Sequence, residues 1–395
     1  MRRAFVRALG LLASLSALSL LPACGGEDDG SQLPGEDKKD AEAKDGAFAP
    51  PLDDGGALPP SDASSDGAPT PALETVHYVG RFDLSDPEKA KFDWSGNAIT
   101  AHFTGTAISV ELRDHDQNFF QAILDGKVQK KFKGTTGTHV LATGLSAGEH
   151  TITLYRRTEP IFQETQFLGF KITGGALVPT AYPVTRRLEI VGDSISAGFG
   201  NEGAGPCAFT ADTENAYDTY GAIAARAVSA EQSDIAWSGK GMTRNNDGTT
   251  TSTMPSIYKR TIAAFGGSVW NFSFAPDAIV INLATNDFAN GDPGKEFVTD
   301  YTAFLASLRT RYPKARLYVA LGPMLTGANL TKAKGYLEDV VAARKKAKDT
   351  NVAFLQFATQ NAAADGVGCV GHPNVTTHKK MAAVLTAALK NDLGW

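Results

Sequence analysis

The sequence predicts a parallel α/β domain that follows an all-β sandwich, and two patterns lead to this fold class. From residue 75 to residue 183, runs such as AITAHFTGTAISVEL and EHTITLYRRT carry apolar side chains at every second position. That spacing is typical of strands with one buried face. From residue 184 to residue 395, continuous apolar runs alternate with amphipathic helical patterns, as in a parallel sheet covered on both faces.

The chain of 395 residues is long enough for two such domains, and 42% of its residues are hydrophobic and 21% are charged. This composition is that of a protein with a real core. The formal net charge is −5 and no basic stripe runs along the sequence. We therefore expect no nucleic-acid partner.

Residues 1–23, MRRAFVRALGLLASLSALSLLPA, have the layout of a bacterial secretion signal, with early arginines, an apolar run and small residues before Cys24. The letters LPAC resemble a lipobox, in which the cysteine receives a diacylglycerol. We therefore expect residues 1–24 to direct export and to leave a lipoprotein at the outer membrane or cell surface, held only by the lipid on Cys24. The alternative is an ordinary cleaved signal that releases a secreted protein.

Residues 25–74 form an acidic segment rich in proline and glycine, with almost no large apolar side chain. Such a segment cannot bury enough surface to offset its ordering entropy, so we expect a disordered linker. Behind an anchoring cysteine, the linker would let the folded domains reach a large external substrate.

The predicted sandwich, residues 75–183, has turn signals between its strands, among them Asp125-Gly126 and Ala147-Gly148. Its role is either structural packing or carbohydrate binding. Its sequence has no dense aromatic platform, which favours the structural role.

The predicted α/β domain, residues 184–395, contains five apolar runs that predict parallel strands: LEIVG, DIAWSG, AIVINLA, RLYVALG and VAFLQFA. In such sheets, functional side chains gather beyond the carboxyl ends of the strands. Polar clusters follow four of these runs, and they are Gly192-Asp193-Ser194, Ser238-Gly239, Thr285-Asn286-Asp287 and His372-Pro373-Asn374. We therefore expect these clusters to converge at one edge of the sheet.

A serine in this setting indicates nucleophilic catalysis. The N–H groups of Ser194 and Gly239 and a side-chain N–H of Asn286 would supply three donors for an oxyanion. The serine needs a base, and His372 lies in a glycine-rich loop after the last strand. His378 falls at the start of the last helix, where we expect it to pack or cap. The alternative for Ser194 is a turn serine that caps the following helix.

The four residues Ser194, Gly239, Asn286 and His372 match, in order, the blocks of the SGNH hydrolases. Five stretches resemble carbohydrate esterase family 2 more closely, the acetylxylan-esterase-like deacetylases, and they are LYRRTEP, IVGDSISAGFGNE, WSGKGMTRNNDG, INLATNDF and GCVGHPNVTTHKKMA. The resemblance extends from about residue 75 to Trp395. It implies a jelly-roll sandwich ahead of a flavodoxin-like SGNH domain, with no metal and no cofactor.

The resemblance also implies a reaction. Ser194 would attack the carbonyl carbon of an O-acetyl group on acetylated xylan, mannan or a related oligosaccharide, and His372 would accept the serine proton. Two alternatives stay open, namely a lipase or thioesterase acting on longer acyl esters, and a non-catalytic carbohydrate-binding surface lipoprotein. We expect the protein to act as a monomer.

Two departures from the family pattern concern the third block and the histidine block. Ala284 stands where the third block usually begins with glycine. Relatives often carry an acid two or three residues before the histidine and an aromatic directly before it, but Cys369, Val370 and Gly371 precede His372 here.

The missing acid leaves open what orients the imidazole of His372. We expect a backbone carbonyl of Gly368 or Cys369 to do so, giving a Ser/His dyad, and Asp365 is the alternative partner. Gly371, in place of an aromatic, predicts a more open pocket.

Two further expectations concern residues near these blocks. Cys207 and Cys369 are an even pair in an exported protein, and their loops leave the same edge of the sheet. We expect them to form a disulfide that braces nucleophile and base, with two free thiols as the alternative. Phe288, which follows the third block, is expected to stack on a sugar ring.

Overall fold

The computed structural model describes residues 72–264 and 269–395, which all lie in one compact unit, Gly67–Trp395. The predicted signal segment, the lipidation site Cys24 and nearly all of the predicted linker lie outside the described residues. Among the helices that the structure describes, none combines the length and the apolar character needed to cross a membrane.

The first region is a sandwich of two antiparallel sheets. Its strands are β1 (Leu73–Glu74), β2 (His77–Val79), β3 (Ala90–Phe92), β4 (Ala98–Thr104), β5 (Ala107–Arg113), β6 (Phe119–Leu124), β7 (Lys127–Val128), β8 (Phe132–Lys133), β9 (Gly137–Thr143), β10 (Glu149–Arg156), β11 (Thr165–Thr173), β12 (Leu177–Val178) and β13 (Thr180–Ala181). One sheet has the order β12-β4-β10-β6-β7, with β2 and β8 paired to β4 and β6, and the other has the order β3-β11-β5-β9. Strands β1 and β13 pair with each other in a separate two-stranded sheet. Buried side chains from both sheets, such as Leu154 and Val110, share one core. The predicted all-β sandwich is confirmed.

The second region is a parallel sheet with helices on both faces. Its strands are β14 (Arg187–Gly192), β15 (Glu231–Ala236), β16 (Ala278–Asn282), β17 (Arg316–Leu321) and β18 (Val352–Gln356). Its helices are α1 (Ser194–Ala197), α2 (Tyr220–Ala227), α3 (Met254–Ile257), α4 (Lys295–Arg311), α5 (Gly327–Lys346), α6 (Ala362–Asp365) and α7 (Val375–Leu393). Side chains of α4 and α5 pack on one face of the sheet, and side chains of α2 and α7 pack on the other.

The five parallel strands have the order β15-β14-β16-β17-β18. This is the flavodoxin-like order, in which ligands bind where the strand order reverses, at the carboxyl ends of the strands flanking that point. The strand order confirms the predicted fold class. The strands that flank the reversal are β14 and β16, so a site is expected at their carboxyl ends.

One strand begins earlier than the sequence predicts. The apolar run indicates a start at Asp234, but β15 starts at Glu231 and includes buried polar residues. Ser233 lies opposite Glu189 of β14 in the register and donates a hydrogen bond to its carboxylate at 3.3 Å. The polar side chains of this strand therefore belong to a buried polar cluster, which hydrophobic periodicity does not detect.

That cluster joins the two regions. Arg81 of the sandwich lies 3.4 Å from the Glu189 carboxylate, and both side chains are fully buried. Arg81 also donates to the carbonyl oxygens of Tyr258 and Arg260, and the Tyr258 hydroxyl donates to Glu189 at 2.5 Å. A buried guanidinium and a buried carboxylate each require the other, because an unpaired charge is costly away from water.

Candidate active site

Ser194 stands at the tight turn between β14 and α1. Asp193 caps α1, with its carboxylate accepting a hydrogen bond from the N–H of Ile195 at 2.9 Å. A Cβ on Gly192 would lie 2.1 Å from Ser196 Oγ, so only glycine permits this approach of strand and helix. The side chain of Ser194 is held at the switch point and remains 6% exposed.

His372 reaches this serine from the segment that follows β18 and α6, at the same edge of the sheet. Its Nε2 lies 2.9 Å from Ser194 Oγ, a separation that permits proton transfer between a hydroxyl and an imidazole. A disulfide joins Cys207, in the loop after the serine block, to Cys369, in the histidine loop. Burial lowers the pKa of His372 below 6.5, and the nearby carbonyl groups of Val370 and Cys369 oppose that shift. The imidazole is therefore favoured in its neutral, basic form.

The opposite nitrogen of this imidazole has no carboxylate partner in the part of the chain that the structure describes. Nδ1 of His372 is buried and forms no hydrogen bond of ordinary geometry with any described residue. The Asp365 carboxylate instead accepts two hydrogen bonds from Lys380 Nζ, both at 2.7 Å. The structure therefore does not bring Asp365 to the imidazole, and the main-chain carbonyls of Val370 and Cys369 favour its protonated form.

An aromatic stack borders the imidazole, and the sequence analysis missed it. The ring centroids of Phe199 and His372 are 4.4 Å apart, and Phe199 is stacked on Phe209 with centroids 3.5 Å apart. Phe199 lies five residues after Ser194, within the stretch IVGDSISAGFGNE, so its place in that block was the available signal. Its ring restricts how the imidazole can tilt.

Gly239 and Asn286 lie after the carboxyl ends of β15 and β16. Gly239 has φ +79°, a conformation that disfavours a side chain, and a Cβ there would lie 2.8 Å from Asn246 Oδ1. Asn286 donates one side-chain N–H to the carbonyl of Lys240 at 2.8 Å, which leaves its second N–H free to serve a ligand. Neither the N–H of Ser194 nor that of Gly239 has an acceptor among the residues described.

Asp287 organises the loop that carries Gly239, a role that sequence reasoning missed. Its carboxylate accepts hydrogen bonds from three successive backbone N–H groups, those of Met242, Thr243 and Arg244, at 3.0, 2.7 and 3.1 Å. Burial raises the pKa of Asp287 to about 6, although these N–H groups favour the carboxylate. Its position directly after Asn286 was the signal in the sequence.

A second carboxyl group reaches the same loop from the sandwich. Glu159 is fully buried and accepts hydrogen bonds from Ser238, at Oε2 from the backbone N–H at 2.5 Å and at Oε1 from the hydroxyl. Burial raises the pKa of Glu159 to about 7, against the effect of the Ser238 donors and the nearby Arg156. Glu159 lies in the LYRRTEP stretch, which the sequence analysis quoted without giving it a role.

Asp193 is buried behind the serine. Its Oδ2 has no hydrogen-bond partner among the described residues. Burial is the main reason that the pKa of Asp193 rises to about 7, and the charge of Asp287 adds to the effect. This carboxyl group therefore titrates near neutral pH, next to Ser194.

Two expectations about Phe288 and His378 have different outcomes. The expectation that Phe288 stacks on a sugar is wrong, because its ring is 2% exposed and packs in the core against Phe297 and Tyr336. Its backbone follows the third block, but its side chain faces the helices. His378 packs as expected, since it is buried and its Nδ1 accepts the N–H of Tyr220 at 3.2 Å.

Two family models match the chain. Residues 78–181 match the model described as carbohydrate esterase 2 N-terminal, and residues 190–380 match the GDSL-like Lipase/Acylhydrolase family. The first match covers most of the sandwich, and the second covers the parallel sheet with Ser194 and His372.

Similar proteins share both regions. The chain is 40% identical over 325 residues to the cellulase/esterase CelE of Acetivibrio thermocellus, covering 81% of this chain but only 40% of CelE. It is 23% identical over 327 residues to an acetylxylan esterase / glucomannan deacetylase of Cellvibrio japonicus, covering 81% of this chain and 89% of that protein. A family two carbohydrate esterase from Clostridium thermocellum, solved in complex with cellohexaose, is 39% identical with a TM-score of 0.78, covering 81% of this chain and 99% of that chain.

Proposed function

Because the chain belongs to carbohydrate esterase family 2, we propose that it is a serine esterase that removes O-acetyl groups from polysaccharides through an acyl-enzyme. The observation that carries this proposal is the 2.9 Å separation of Ser194 Oγ and His372 Nε2 at the switch point of the sheet. Two relatives support the choice of substrate, since one is named an acetylxylan esterase / glucomannan deacetylase and another binds cellohexaose.

The proposed reaction begins when His372 Nε2 takes the proton of the Ser194 hydroxyl. The serine oxygen bonds to the acetyl carbonyl carbon, and the carbonyl oxygen becomes an oxyanion that the N–H groups of Ser194, Gly239 and Asn286 hold. Collapse of this intermediate breaks the bond to the sugar oxygen, which leaves as a hydroxyl with the proton from His372. A water molecule then attacks the acyl-enzyme by the same route, releasing acetate and restoring Ser194.

In this proposal a Ser/His dyad performs the reaction. The neutral imidazole is favoured by burial, and the carbonyl groups of Val370 and Cys369 stabilise its protonated form. Neutral acceptors contribute less than a carboxylate, roughly 0.5 to 1.5 kcal/mol against about 1.5 to 3 kcal/mol. The stacked Phe199 ring restrains the imidazole in addition.

The space beside the histidine suits a polymer. Gly371 is exposed, and a Cβ added there would meet no atom within 4 Å. An acetyl group on a long chain must reach Ser194 while the chain continues on both sides, and open space next to His372 accommodates such a chain. We propose acetylated xylan and acetylated mannan or glucomannan as the substrates.

Acetate release from acetylated xylan and acetylated glucomannan tests the proposal, beside hydrolysis of nitrophenyl acetate and nitrophenyl palmitate. We expect activity on the acetyl substrates and a loss on the order of 10⁴-fold or more in Ser194→Ala. Preference for the palmitate would instead identify a lipase-like activity. The proposal is wrong if the parent releases no acetate, and if the parent and Ser194→Ala bind the polymers equally well. In that case the protein is a binding module.

We also propose that the protein is exported, anchored by a lipid on Cys24 and active as a monomer. The support is the signal-like segment at residues 1–23 and the following cysteine. In membrane fractions of an expressing bacterium, Cys24→Ser should move the protein into the soluble fraction. A Cys24→Ser protein that stays with the membrane would contradict the lipid anchor.

A further inference from the structure

We propose that Glu159 of the sandwich is a positioning residue of the esterase site, which holds Ser238 so that the N–H of Gly239 points at the reacting carbonyl. The inference rests on the proposed esterase function. It gives the sandwich a direct part in the reaction, beyond packing or sugar binding.

The direction of the Gly239 N–H depends on the residue that precedes Gly239 in the chain. Its N–H belongs to the peptide unit that starts at the Cα of Ser238, so the backbone dihedrals of Ser238 set the direction in which this N–H points. Gly239 itself has φ +79° and little steric restraint from a side chain. The orientation of this donor therefore depends on how firmly its neighbours are held.

Glu159 holds the neighbour on the amino-terminal side. Both of its carboxylate oxygens accept hydrogen bonds from one residue, Oε2 from the N–H of Ser238 at 2.5 Å and Oε1 from the Ser238 hydroxyl. Two bonds to a single residue fix its orientation as well as its position. On the other side, Asn286 holds the carbonyl of Lys240 at 2.8 Å, so the Gly239 donor lies between two anchored residues.

Glu159 is itself firmly placed. The residue precedes Pro160 at the start of a short 3-10 helix, Pro160–Phe162, and it is fully buried. The buried Arg156 donates to the main-chain carbonyls on either side, that of Thr158 at 2.8 Å and that of Glu159 at 3.4 Å. Because the end of β10 carries this arginine, the sheet of the sandwich fixes the carboxylate.

The energetics also point to a role in the site. A carboxylate buried without a matching cation in direct contact is costly, and apolar packing would stabilise the boundary between the two regions at least as well. Arg81 and Glu189 show the alternative, a direct buried ion pair across the same boundary. Glu159 instead binds neutral donors, and those donors belong to the residue next to the proposed oxyanion donor.

The test compares Glu159→Gln with Ser238→Ala, the double variant and the matched control Glu189→Gln. Glu189 is equally buried and also bridges the two regions, but its contacts are Arg81, Ser233 and Tyr258 rather than the Gly239 loop. Each protein is assayed with nitrophenyl acetate, which separates chemistry from sugar binding, and its melting temperature is measured.

We expect Glu159→Gln to lower kcat by about 10- to 100-fold, less than the 10²- to 10³-fold effect of removing an oxyanion donor outright, with KM changed little. Inactivation by an organophosphate ester, whose phosphoryl oxygen enters the same hole, should slow in parallel. The double variant should be no slower than the slower single variant, because both act through one contact. Glu189→Gln should lower the melting temperature and leave kcat within about twofold.

The inference is overturned if Glu159→Gln keeps the parent kcat. It is also overturned if Glu159→Gln and Glu189→Gln lower the melting temperature equally and lower kcat equally. These outcomes differ from failure of the proposed function, in which the parent itself would release no acetate. A Glu159→Gln chain that does not fold is replaced by Ser238→Ala, which keeps the carboxylate and removes one donor. Unchanged kcat in a folded Ser238→Ala chain, with unchanged organophosphate inactivation, would also overturn the inference.

Discussion

Asp365 and Lys380 form an ion pair at the base of the histidine loop, with Lys380 Nζ 2.7 Å from each oxygen of the Asp365 carboxylate. Asp365 also accepts the side-chain N–H of Asn374 at its main-chain carbonyl, at 2.6 Å. The acid nearest to His372 in the sequence is thus engaged in holding the start of α7.

The first prediction concerns this acid. In Asp365→Asn we expect kcat/KM to stay within about threefold of the parent, against the roughly 10⁴-fold loss that follows when a triad acid becomes an amide. Steady-state kinetics on nitrophenyl acetate give the answer, and Lys380→Met serves as the control for loss of the ion pair alone. A loss of several orders of magnitude in Asp365→Asn would rule out the dyad.

The second prediction concerns pH. In the proposed reaction His372 acts as a base in its neutral form, and burial lowers its pKa below 6.5. Activity should therefore be lost only as the pH falls through a value below 6.5, and it should be retained above that value. The pH profile of kcat/KM measures this, and an ascending limb centred above 6.5 would contradict it.

The third prediction concerns Asp193, whose pKa rises from 3.8 to about 7 because it is buried. Between these values the folded protein keeps a proton that the unfolded chain has lost, so the contribution of this group to the free energy of unfolding falls as the pH rises. Asparagine caps helices as well as aspartate and does not ionise. The free energy of unfolding of Asp193→Asn, compared with that of the parent, should therefore increase on the order of 2 kcal/mol as the pH rises from about 5 to about 8.

Urea unfolding of both proteins at the two pH values checks this prediction. An equal stability difference at both pH values would mean that Asp193 does not titrate in this range. Asp218→Asn, a change at a more exposed carboxylate, serves as the control.

The fourth prediction follows from the core position of Phe288. Phe288→Ala should lower the free energy of unfolding by about 3 to 5 kcal/mol. Phe288→Leu should keep the parent KM for acetylated xylan, because the ring packs against Phe297 and Tyr336 rather than facing a substrate. A rise in KM in Phe288→Leu at unchanged melting temperature would restore the ring as a sugar contact.

The fifth prediction concerns the disulfide between Cys207 and Cys369, which are 162 residues apart in the sequence. In the chain-entropy description, a link across a loop of this length stabilises the folded state by about 5 kcal/mol. We expect the double variant Cys207→Ser, Cys369→Ser to melt at a lower temperature than the parent. On warming, it should lose activity before it unfolds, because the bridge joins the loops that carry Ser194 and His372. Reduction of the parent should reproduce the effect, and reducing agent should not affect the double variant.

The sequence predicted the position of candidate site residues where they directly follow a buried strand. Ser194, Gly239, Asn286 and His372 each stand beyond an apolar run, so strand periodicity and the parallel-sheet rule predicted that they share an edge. The contact between Glu159 and Ser238 spans 79 residues and two regions, and no local pattern encodes it. Predicting it requires knowing how the sandwich docks on the sheet.

The direction of a side chain beside a motif was equally hard to predict. Phe288 and Phe199 are both aromatic and both lie close to a block, yet one packs in the core and the other against the imidazole. Periodicity does not separate them, because each lies in a short irregular segment, Phe199 after α1 and Phe288 after β16. Only the turn geometry determines which face each ring joins.

The buried pair of Arg81 and Glu189 has a consequence for protein engineering. A fragment that began at β14 would lack Arg81 and would leave Glu189 as a lone charge in its interior, a change that typically costs about 3 to 5 kcal/mol. The parallel-sheet region, which holds the proposed esterase site, is thus unsuited to transfer as a separate cassette. A fusion protein that borrows this activity needs the whole segment from the first strand of the sandwich to the last helix.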